Sequence, residues 1–379
     1  RGGGILLFDS NLTIRNCDVQ DNTAWSGGGL YCENADPMIR ECMFANNTAG
    51  IGAGANFVGS QAVVLNCRFN ENNAASNLDV ANPRGAAIAG GTPEMPADIQ
   101  VINSLIVNNS AESKFAAASM VGELVFVNCT IANNEAQMHA GIGIIGSASV
   151  LSIDNSILWS NTTDAGQGEP SQVAATDGAE ISISYSCVQG WTGKFGGSEN
   201  IGKDPMFADP GAIDYSLTVN SPCVDSANNF AITICASDLL GHERLFDHPK
   251  SYGAGQGQSP IVDMGAYEFG SIPIGDCNDN GIPDSCDSLS GLTEDCNANS
   301  VPDSCDIADG TSQDKDENGI PDECCTSDLN DDGIVGVSDL LILLAAWGEC
   351  ERCAQDLNGD GVVSLYDLLT LLNDWGVCP

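Results

Sequence analysis

Basic side chains are scarce. The 379 residues hold 12 Lys and Arg against 52 Asp and Glu, a formal net charge of −40. A surface of that sign repels phosphate backbones and anionic lipid, which excludes nucleic-acid binding and electrostatic docking to membranes. No apolar run reaches the roughly 18 residues that a membrane span requires. The opening Arg1-Gly-Gly-Gly lacks a basic n-region and an apolar h-region, so any signal peptide is expected upstream or already removed. The 43 glycines follow no collagen period. Charge itself is limited: 17% of residues are charged and 42% hydrophobic, which sets the chain apart from disordered acidic sequences. What is present is cysteine, 17 in all. That usage points to an oxidising, extracellular setting, and the odd count leaves at least one thiol free or paired with another chain.

Charge and cysteine are unevenly spread. From Asp276 to Pro379 there are 24 acids against two bases, Lys315 and Arg352, together with nine of the cysteines. The stretch 1–270 is rich in Gly, Asn, Ser, Val and Ile. The stretch 271–275 has linker composition. The reading is therefore one domain at 1–270 and an acidic region beyond it, itself divided into 276–325 and 326–379.

The first domain repeats. Asn16-Cys-Asp-Val-Gln-Asp-Asn-Thr-Ala24 returns as Glu41-Cys-Met-Phe-Ala-Asn-Asn-Thr-Ala49 and Asn66-Cys-Arg-Phe-Asn-Glu-Asn-Asn-Ala74. Further copies begin at Asn103, Asn128 and Asn155. Cys17, Cys42 and Cys67 are evenly spaced. The step from Cys67 to Ser104 is longer, and Cys129 and Ser156 then return to about the first interval. The long step is read as one unit plus an insertion around Asn77–Pro96. A period of this length means stacked supersecondary units. Each unit alternates short β-type runs with Gly or Asn turns and lacks a helical stripe. Three short strands and three turns per unit describe one coil of a parallel β-helix, about ten coils in total and about 50 Å long at the ordinary strand spacing. The Asn pairs (Asn46-Asn47, Asn72-Asn73, Asn108-Asn109, Asn133-Asn134) are expected to turn the chain and bond from coil to coil. Asn-x-Ser/Thr matches at Asn11, Asn46, Asn108, Asn128 and Asn161 follow from that repeat. Cys17, Cys42, Cys67 and Cys129 are read as small core residues.

These residues resemble the bacterial secreted right-handed parallel β-helix repeat proteins. The likeness extends through Ile181-Ser-Ile-Ser-Tyr-Ser-Cys-Val-Gln-Gly190 and Ser221-Pro-Cys-Val-Asp225 to the closing phrase Val262-Asp-Met-Gly-Ala-Tyr-Glu-Phe269. It implies a fold and not a function.

In the acidic region, Asp276, Asn278, Asn280, Asp284 and Asp287 stand at positions one, three, five, nine and twelve of a loop, with the Ile282 carbonyl at seven. Asp295, Asn297, Asn299, Val301, Asp303 and Asp306 repeat the spacing. Asp314, Asp316, Asn318, Ile320 and Asp322 do so again, with Cys325 in place of the last carboxylate. Alternating Asp and Asn side chains offer the oxygen cage that Ca²⁺ takes. The repeats resemble thrombospondin type 3 repeats.

Two further loops follow, the second repeating the first. Asp328, Asn330, Asp332 and Asp339 precede Leu340-Leu-Ile-Leu-Leu-Ala-Ala-Trp-Gly348. Asp356, Asn358, Asp360, Ser364 and Asp367 precede Leu368-Leu-Thr-Leu-Leu-Asn-Asp-Trp-Gly376. Each is a calcium loop followed by an apolar helix, with Gly333 or Gly361 at the sharp turn. The pattern resembles a dockerin of the variety ending Trp-Gly-x-Cys, a small α pair of F-hand loop–helix units. The resemblance implies that these side chains, with the Ile334 and Val362 carbonyls, bind Ca²⁺, up to about five ions in the whole acidic region. Gly336 stands where an oxygen side chain is usual, so water is expected there. The resemblance implies a cohesin-like partner, although Val337-Ser338 and Leu365-Tyr366 are not a matched pair. Cysteine spacing suggests Cys325–Cys350, Cys353–Cys378, Cys286–Cys296, Cys305–Cys324 and Cys223–Cys235 bridges.

Catalysis finds little support in the residues. A lyase needs a base beside a carboxylate or calcium cluster, and a hydrolase needs two or three Asp on one face. Arg15, Arg40 and Arg68 read as a surface stripe; Asp204, Asp209, Asp214 and Asp225 belong to fold-typical phrases; His139, His242 and His248 read as solvated. The expectation is no catalysis. The protein reads as a secreted, calcium-stabilised structural or adhesive surface protein. Arg1–Phe8 begins in mid-repeat, which leaves two readings: the chain is a fragment whose earlier coils are missing, or its first coil is covered head-to-tail by another copy. The alternative is a dockerin-anchored protein that binds or degrades polysaccharide, with a surface glycan as partner.

Overall fold

The computed structural model describes residues 2–76, 82–231, 237–247, 255–271, 275, 277, 284, 293–297, 299, 301–314, 319–330, 332–350 and 353–377. The chain divides into two compact units, Arg1–Pro273 and Ile274–Pro379.

The first unit is built on turns that only a few side chains tolerate. Asn16, Glu41, Asn66, Asn103, Asn128 and Asn155 adopt left-handed backbone with φ between 47° and 54°. Asp21, Asn46, Glu71, Asn108, Asn133 and Ser160 do so again, at the far end of the strand that follows. Short Asn and Asp side chains suit that conformation because they bond locally. Between the turns run strands of two to six residues. They stack into four parallel sheets, three of seven strands and one of six. The third sheet, for example, runs Asp18–Gln20, Met43–Ala45, Arg68–Asn70, Leu105–Val107, Thr130–Ala132, Ile157–Trp159 and Cys187–Val188. Its register pairs Asp18 with Met43, Met43 with Arg68, and Arg68 with Leu105, so one repeat of the sequence is one coil.

Stacking makes the core. Val19, Phe44, Phe69, Ile106, Ile131, Leu158 and Val188 occupy one position in successive coils and are all buried. The Phe44 and Phe69 rings stack 4.8 Å apart, 7° from parallel. Burying one such side chain contributes about 1.5–3 kcal/mol. In Asn46-Asn47, Asn108-Asn109 and Asn133-Asn134 the first member turns the chain and the second points inward; in Asn72-Asn73 the first points inward and Glu71 makes the turn. Asn47, Asn72, Asn109, Asn134 and Asn161 have no exposed surface. The Nδ2 of each donates to the Oδ1 of the next, at 3.0, 2.9, 2.9 and 2.8 Å along the series. Asn128 and Asn161 are fully buried, which closes them to glycosylation. Cys42, Cys67 and Cys129 are buried thiols, as the sequence suggested, and Cys17 is half-buried. Ser104, Ser156 and Ser186 continue that column, their hydroxyls accepting from Cys67, Cys129 and Ser156 N–H at 3.0–3.1 Å.

Two expectations need correcting. There are four strands per coil rather than three, because the run after the inward Asn pairs as a sheet of its own, from Thr23–Ser26 to Thr162–Thr163. There are about seven coils rather than ten, which at the ordinary strand spacing is about 30–35 Å. The residues after Gln189 leave the ladder and form a cap. An antiparallel pair, Phe207–Asp209 with Asp214–Leu217, opens it. Leu217, Cys223, Val224, Val262 and Met264 then pack against Ile157 and Cys187. Tyr215, Leu239, Ala266 and Tyr267 cover Leu105, Val107 and Ala132. The middle strands of the third sheet, Leu105–Val107 and Thr130–Ala132, are thus buried on both faces. Side chains of the turn asparagines grip the cap: Asn103 Nδ2 donates to Ser237 O (2.6 Å) and Asn155 Nδ2 to Asn228 O (2.9 Å). The insertion falls on both sides of Ile88–Gly90; positions 77–81 lie outside the described part.

Candidate metal centres

The terminal repeat of the second unit folds as two equivalent halves. The helices Val337–Ala345 and Leu365–Asn373 pack together through Leu343 and Leu371, both fully buried, with Val335 and Val363 beneath them. The halves exchange short strands. Ile334–Val335 pairs antiparallel with Gly376–Val377, and Gly348–Glu349 with Val362–Val363. Each loop is therefore anchored to the far end of the other half.

The loops wind around their own carboxylates. Asp328 Oδ2 accepts Gly333 N–H at 2.6 Å, and Asp332 Oδ1 accepts Ile334 N–H at 3.1 Å. Asp339, fully buried in the first turn of its helix, accepts Leu329 N–H (2.9 Å) and Gly336 N–H (2.8 Å). The second half repeats this with Asp356 and Gly361, Asp360 and Val362, and Asp367 with Asn358 and Ser364. Gly333 (φ 81°) and Gly361 (φ 87°) make the tight turns that side chains would strain. Burial opposes ionisation of Asp367, but the N–H groups of Ser364 and Asn358 outweigh it and hold the carboxyl below its usual range.

One carboxylate oxygen each from Asp328, Asp332 and Asp339 lie within 4.8 Å of one another. Two oxygens bound to one Ca²⁺ at about 2.4 Å can be no more than about 4.8 Å apart, so the spacing and the all-oxygen donor set fit a hard cation. Asn330 lies beside them, its Nδ2 2.9 Å from Asp332 Oδ2.

In the acidic repeats the second loop converges. Asn297 and Asn299 donate to Asp306 Oδ2 at 3.1 and 2.8 Å, and Asp295 Oδ1 accepts Asn299 N–H at 3.2 Å. Burial opposes ionisation of Asp306, yet hydrogen bonds from Thr311, Asn297 and Asn299 keep it below the usual carboxylate range. Asn299 Oδ1 accepts Val301 N–H, and Asp314 Oδ2 accepts Gly319 N–H beside Ile320. The position-nine acids are placed differently: Asp284 accepts Cys277 N–H and Asp303 accepts Cys296 N–H, both at 3.0 Å, and Asp322 N–H donates to Gln313 O. Asp276, Asn278, Asn280, Ile282, Asp287, Asp316 and Asn318 lie outside the described residues, as do Cys235, Cys286, Cys378 and His248.

The disulfides differ from those the spacing suggested. Cys277 pairs with Cys305 and Cys296 with Cys324, at the same sequence separation of 28. The helix Asp303–Asp309 turns Cys305 back to the loop that opens at Cys277, so neither bridge joins cysteines that are neighbours in sequence. Cys350 pairs with Cys353 instead of reaching Cys325 or Cys378. The pairing of Gly348–Glu349 with Val362–Val363 brings the exit of one helix to the start of the next loop, where these two cysteines meet. Cys223 is a buried thiol against Cys187 in the cap.

The sequence reading misses a cluster in the cap, where Asp225, Asp263 and Glu268 are all buried. Burial, with Asp247 nearby, pushes the Asp225 carboxyl up to about 6; burial pushes Asp263 up to about 7 and raises Glu268 as well. The available signal is two acids set in the apolar run from Val262 to Phe269.

Comparison with known proteins bears on the first unit. Residues 2–187 match the family described as right handed beta helix region. This part of the chain is a right-handed parallel β-helix. No curated protein matches the chain. On the β-helix and its cap, the acids weighed for catalysis serve turns: Asp204, Asp209 and Asp214 are exposed and accept N–H from Met206, Ala212 and Ser216. The expected arginine stripe is partial. Arg15 and Arg40 are register partners in the second sheet, and Arg15 bonds Glu41 at 3.1 Å. Arg68 opens a strand of the third sheet, where it donates to Leu239 O of the cap. His139 stacks on Phe115, and His242 N–H donates to Asp238.

Proposed function

We propose that the protein is an extracellular structural or adhesive surface protein whose C-terminal unit is folded by Ca²⁺ and whose β-helix is displayed rather than catalytic. The observation that carries this reading is the gathering of Asp328, Asp332 and Asp339 at the head of a helix, with its loop hydrogen bonds repeated in the following half. Bound there, Ca²⁺ would neutralise carboxylates that otherwise repel one another, and binding free energy becomes folding free energy. The disulfides suit an oxidising environment, and among the described residues no helix is long and apolar enough to cross a membrane.

The likeness to a dockerin is supported by the two packed helices and by an apolar stripe repeated at the same interval. Val337, Leu341, Leu344 and Trp347 on one half match Leu365, Leu369, Leu372 and Trp375 on the other, all 45–64% exposed. A stripe of that kind suits a cohesin-like protein partner. Head-to-tail pairing of copies is the finer form of the structural reading. Its support is the parallel ladder itself, in which each coil is laid on the next in one repeated register.

The test is made on the full chain. Calcium binding is measured by titration after stripping with EDTA, and assembly by sedimentation and electron microscopy in both states. Neutral and anionic polysaccharides are offered in parallel. No calcium binding would sink the calcium-folded reading; turnover of a polysaccharide would replace the display reading by an enzymatic one. Monodisperse monomers at high concentration in calcium would remove the head-to-tail form.

A further inference from the structure

The outer face of the first sheet has no place in the reading above. In its strands Leu30–Glu33, Ala55–Val58, Ile88–Gly90 and Ala118–Met120, alternate residues such as Leu30, Phe57, Ile88 and Met120 enter the core. The residues between them, Tyr31, Asn56, Ala89 and Ser119, are register partners and line up on the other face. Past Tyr31 these side chains are short, which leaves a trough. Its far end is closed at the next register position, Gly143, where the Phe115 ring fills the place of a side chain. Trp25, Ile51 and Arg84, from runs that precede these strands, line the same cavity of about 260 Å³, with Met95 from the loop after Gly90.

Two polar groups of this cavity lack partners. Ser119 is 2% exposed, and its Oγ is buried with no hydrogen bond. A hydroxyl left in that state costs stability unless something bonds it. Arg84 is half-buried, and its guanidinium makes no hydrogen bond or ion pair; the ion pairs among the described residues are Arg15–Glu41 and Arg244–Glu268. Glu33, the acid of the cavity, is engaged with the Tyr31 hydroxyl at 2.7 Å. The bridge partner of Arg84 one coil on is a second cation, Lys114, and like charges at neighbouring positions repel. Burial pushes Arg84 below its usual range, yet a guanidinium stays protonated in a protein. In a chain with 52 acids, an arginine without one is the exception.

The complement of this lining is an anion with an apolar body. The planar fork of a guanidinium takes a carboxylate through two hydrogen bonds. One guanidinium balances one charge, which favours a carboxylate over a phosphate dianion. Trp25, half-exposed, offers an indole face, and Ile51 and Met95 add apolar surface. The volume lies just below the range of about 300–1,000 Å³ that holds drug-sized ligands, so the molecule is small.

We propose that this trough binds a small organic carboxylate, with its acid group on Arg84, its apolar body against Trp25 and a hydrogen bond to Ser119. The site lies within the first unit and does not rest on the C-terminal calcium loops.

The test is calorimetric titration of the full chain with benzoate, with benzyl alcohol as the neutral control and inorganic phosphate as the competing anion. Benzoate should saturate one site per chain below about 10 mM. Arg84→Gln should weaken binding by about 10–100-fold and Ser119→Ala by about 2–10-fold, the ranges for a charged and a neutral hydrogen bond. Trp25→Ala removes an exposed side chain and should also weaken binding. Ser119→Ala should leave the melting of the β-helix unchanged or raised, because it removes a stranded hydroxyl; a fall would give Ser119 a structural role and overturn its part in the site. No saturable benzoate binding would overturn the proposal. So would equal binding of benzyl alcohol, phosphate that competes as well as benzoate, or an unchanged affinity in Arg84→Gln.

Discussion

The β-helix unit keeps seven described cysteines as thiols, whereas every described cysteine of the second unit is disulfide-bonded. The contrast follows the cores. In the first unit, columns of Phe, Ile, Val and Leu run through about seven coils, and an amide ladder satisfies the polar groups among them. Thiols there sit in apolar surroundings; burial pushes Cys32 and Cys129 up to about 12, which keeps them protonated and unreactive. The helical part of the second unit packs around five buried residues, Cys325, Val335, Leu343, Val363 and Leu371. A core so small needs staples, and cross-links and cations are what small domains use. One chain thus holds together by burial in one unit and, on the calcium reading proposed above, by bonds and ions in the other.

The largest effect that tests this contrast is removal of calcium. In EDTA the helices Val337–Ala345 and Leu365–Asn373 should lose hydrogen-exchange protection altogether, while strands such as Gly122–Val127 keep theirs. Helices that stay protected would mean that packing suffices in both units. Next comes reduction. With calcium present, dithiothreitol should destabilise 277–324 by about 3.5 kcal/mol per bridge, for loops of this length, and leave the melting of the β-helix unchanged. A shift in the β-helix transition would reveal cross-links where the structure has thiols. Asn109→Ala, third, strands the backbone N–H and the Nδ2 of Asn72 inside the core. The loss should be about 2 kcal/mol or more in denaturant unfolding, confined to the first unit. The smallest effect belongs to Cys67→Ser, expected to cost less than about 1 kcal/mol. Serine already serves the column at Ser104, Ser156 and Ser186.

Local repetition makes the fold legible. The even spacing of Cys and Asn is a direct record of the coil, because the register partners are those same positions. The first helical loop leaves a trace too: Asp328, Asp332 and Asp339, set at short intervals in the sequence, come together in space. The cap is not. Arg244 meets Asn103 across 141 residues, and Asn66 meets Ser237 across 171, so neither contact leaves a periodic trace. Counting coils by length alone therefore runs past Gln189. Cysteine pairing is hidden for a related reason: equal spacings allow several partners, and the choice is made by a helix and a strand exchange visible only in three dimensions. The acids Asp263 and Glu268 read in sequence as part of a family phrase, although burying them at −40 net charge is the anomaly to follow.

The register of the first coils also makes length an editable property. Cys42 and Cys67 open consecutive coils of equal size, each laid on the one before with the same partners. Excising 42–66 would join Glu41 to Cys67 across the junction that Glu41 and Cys42 now form. Asn22 would meet Asn72 as it now meets Asn47. The stack would lose about 4.8 Å, the Phe44–Phe69 ring stack and the Asn66 contact with the cap, and would keep its ladder register. Gene duplication or loss in multiples of one coil thus leaves the register intact, and this half of the protein behaves as a ruler whose graduations can be added or struck out.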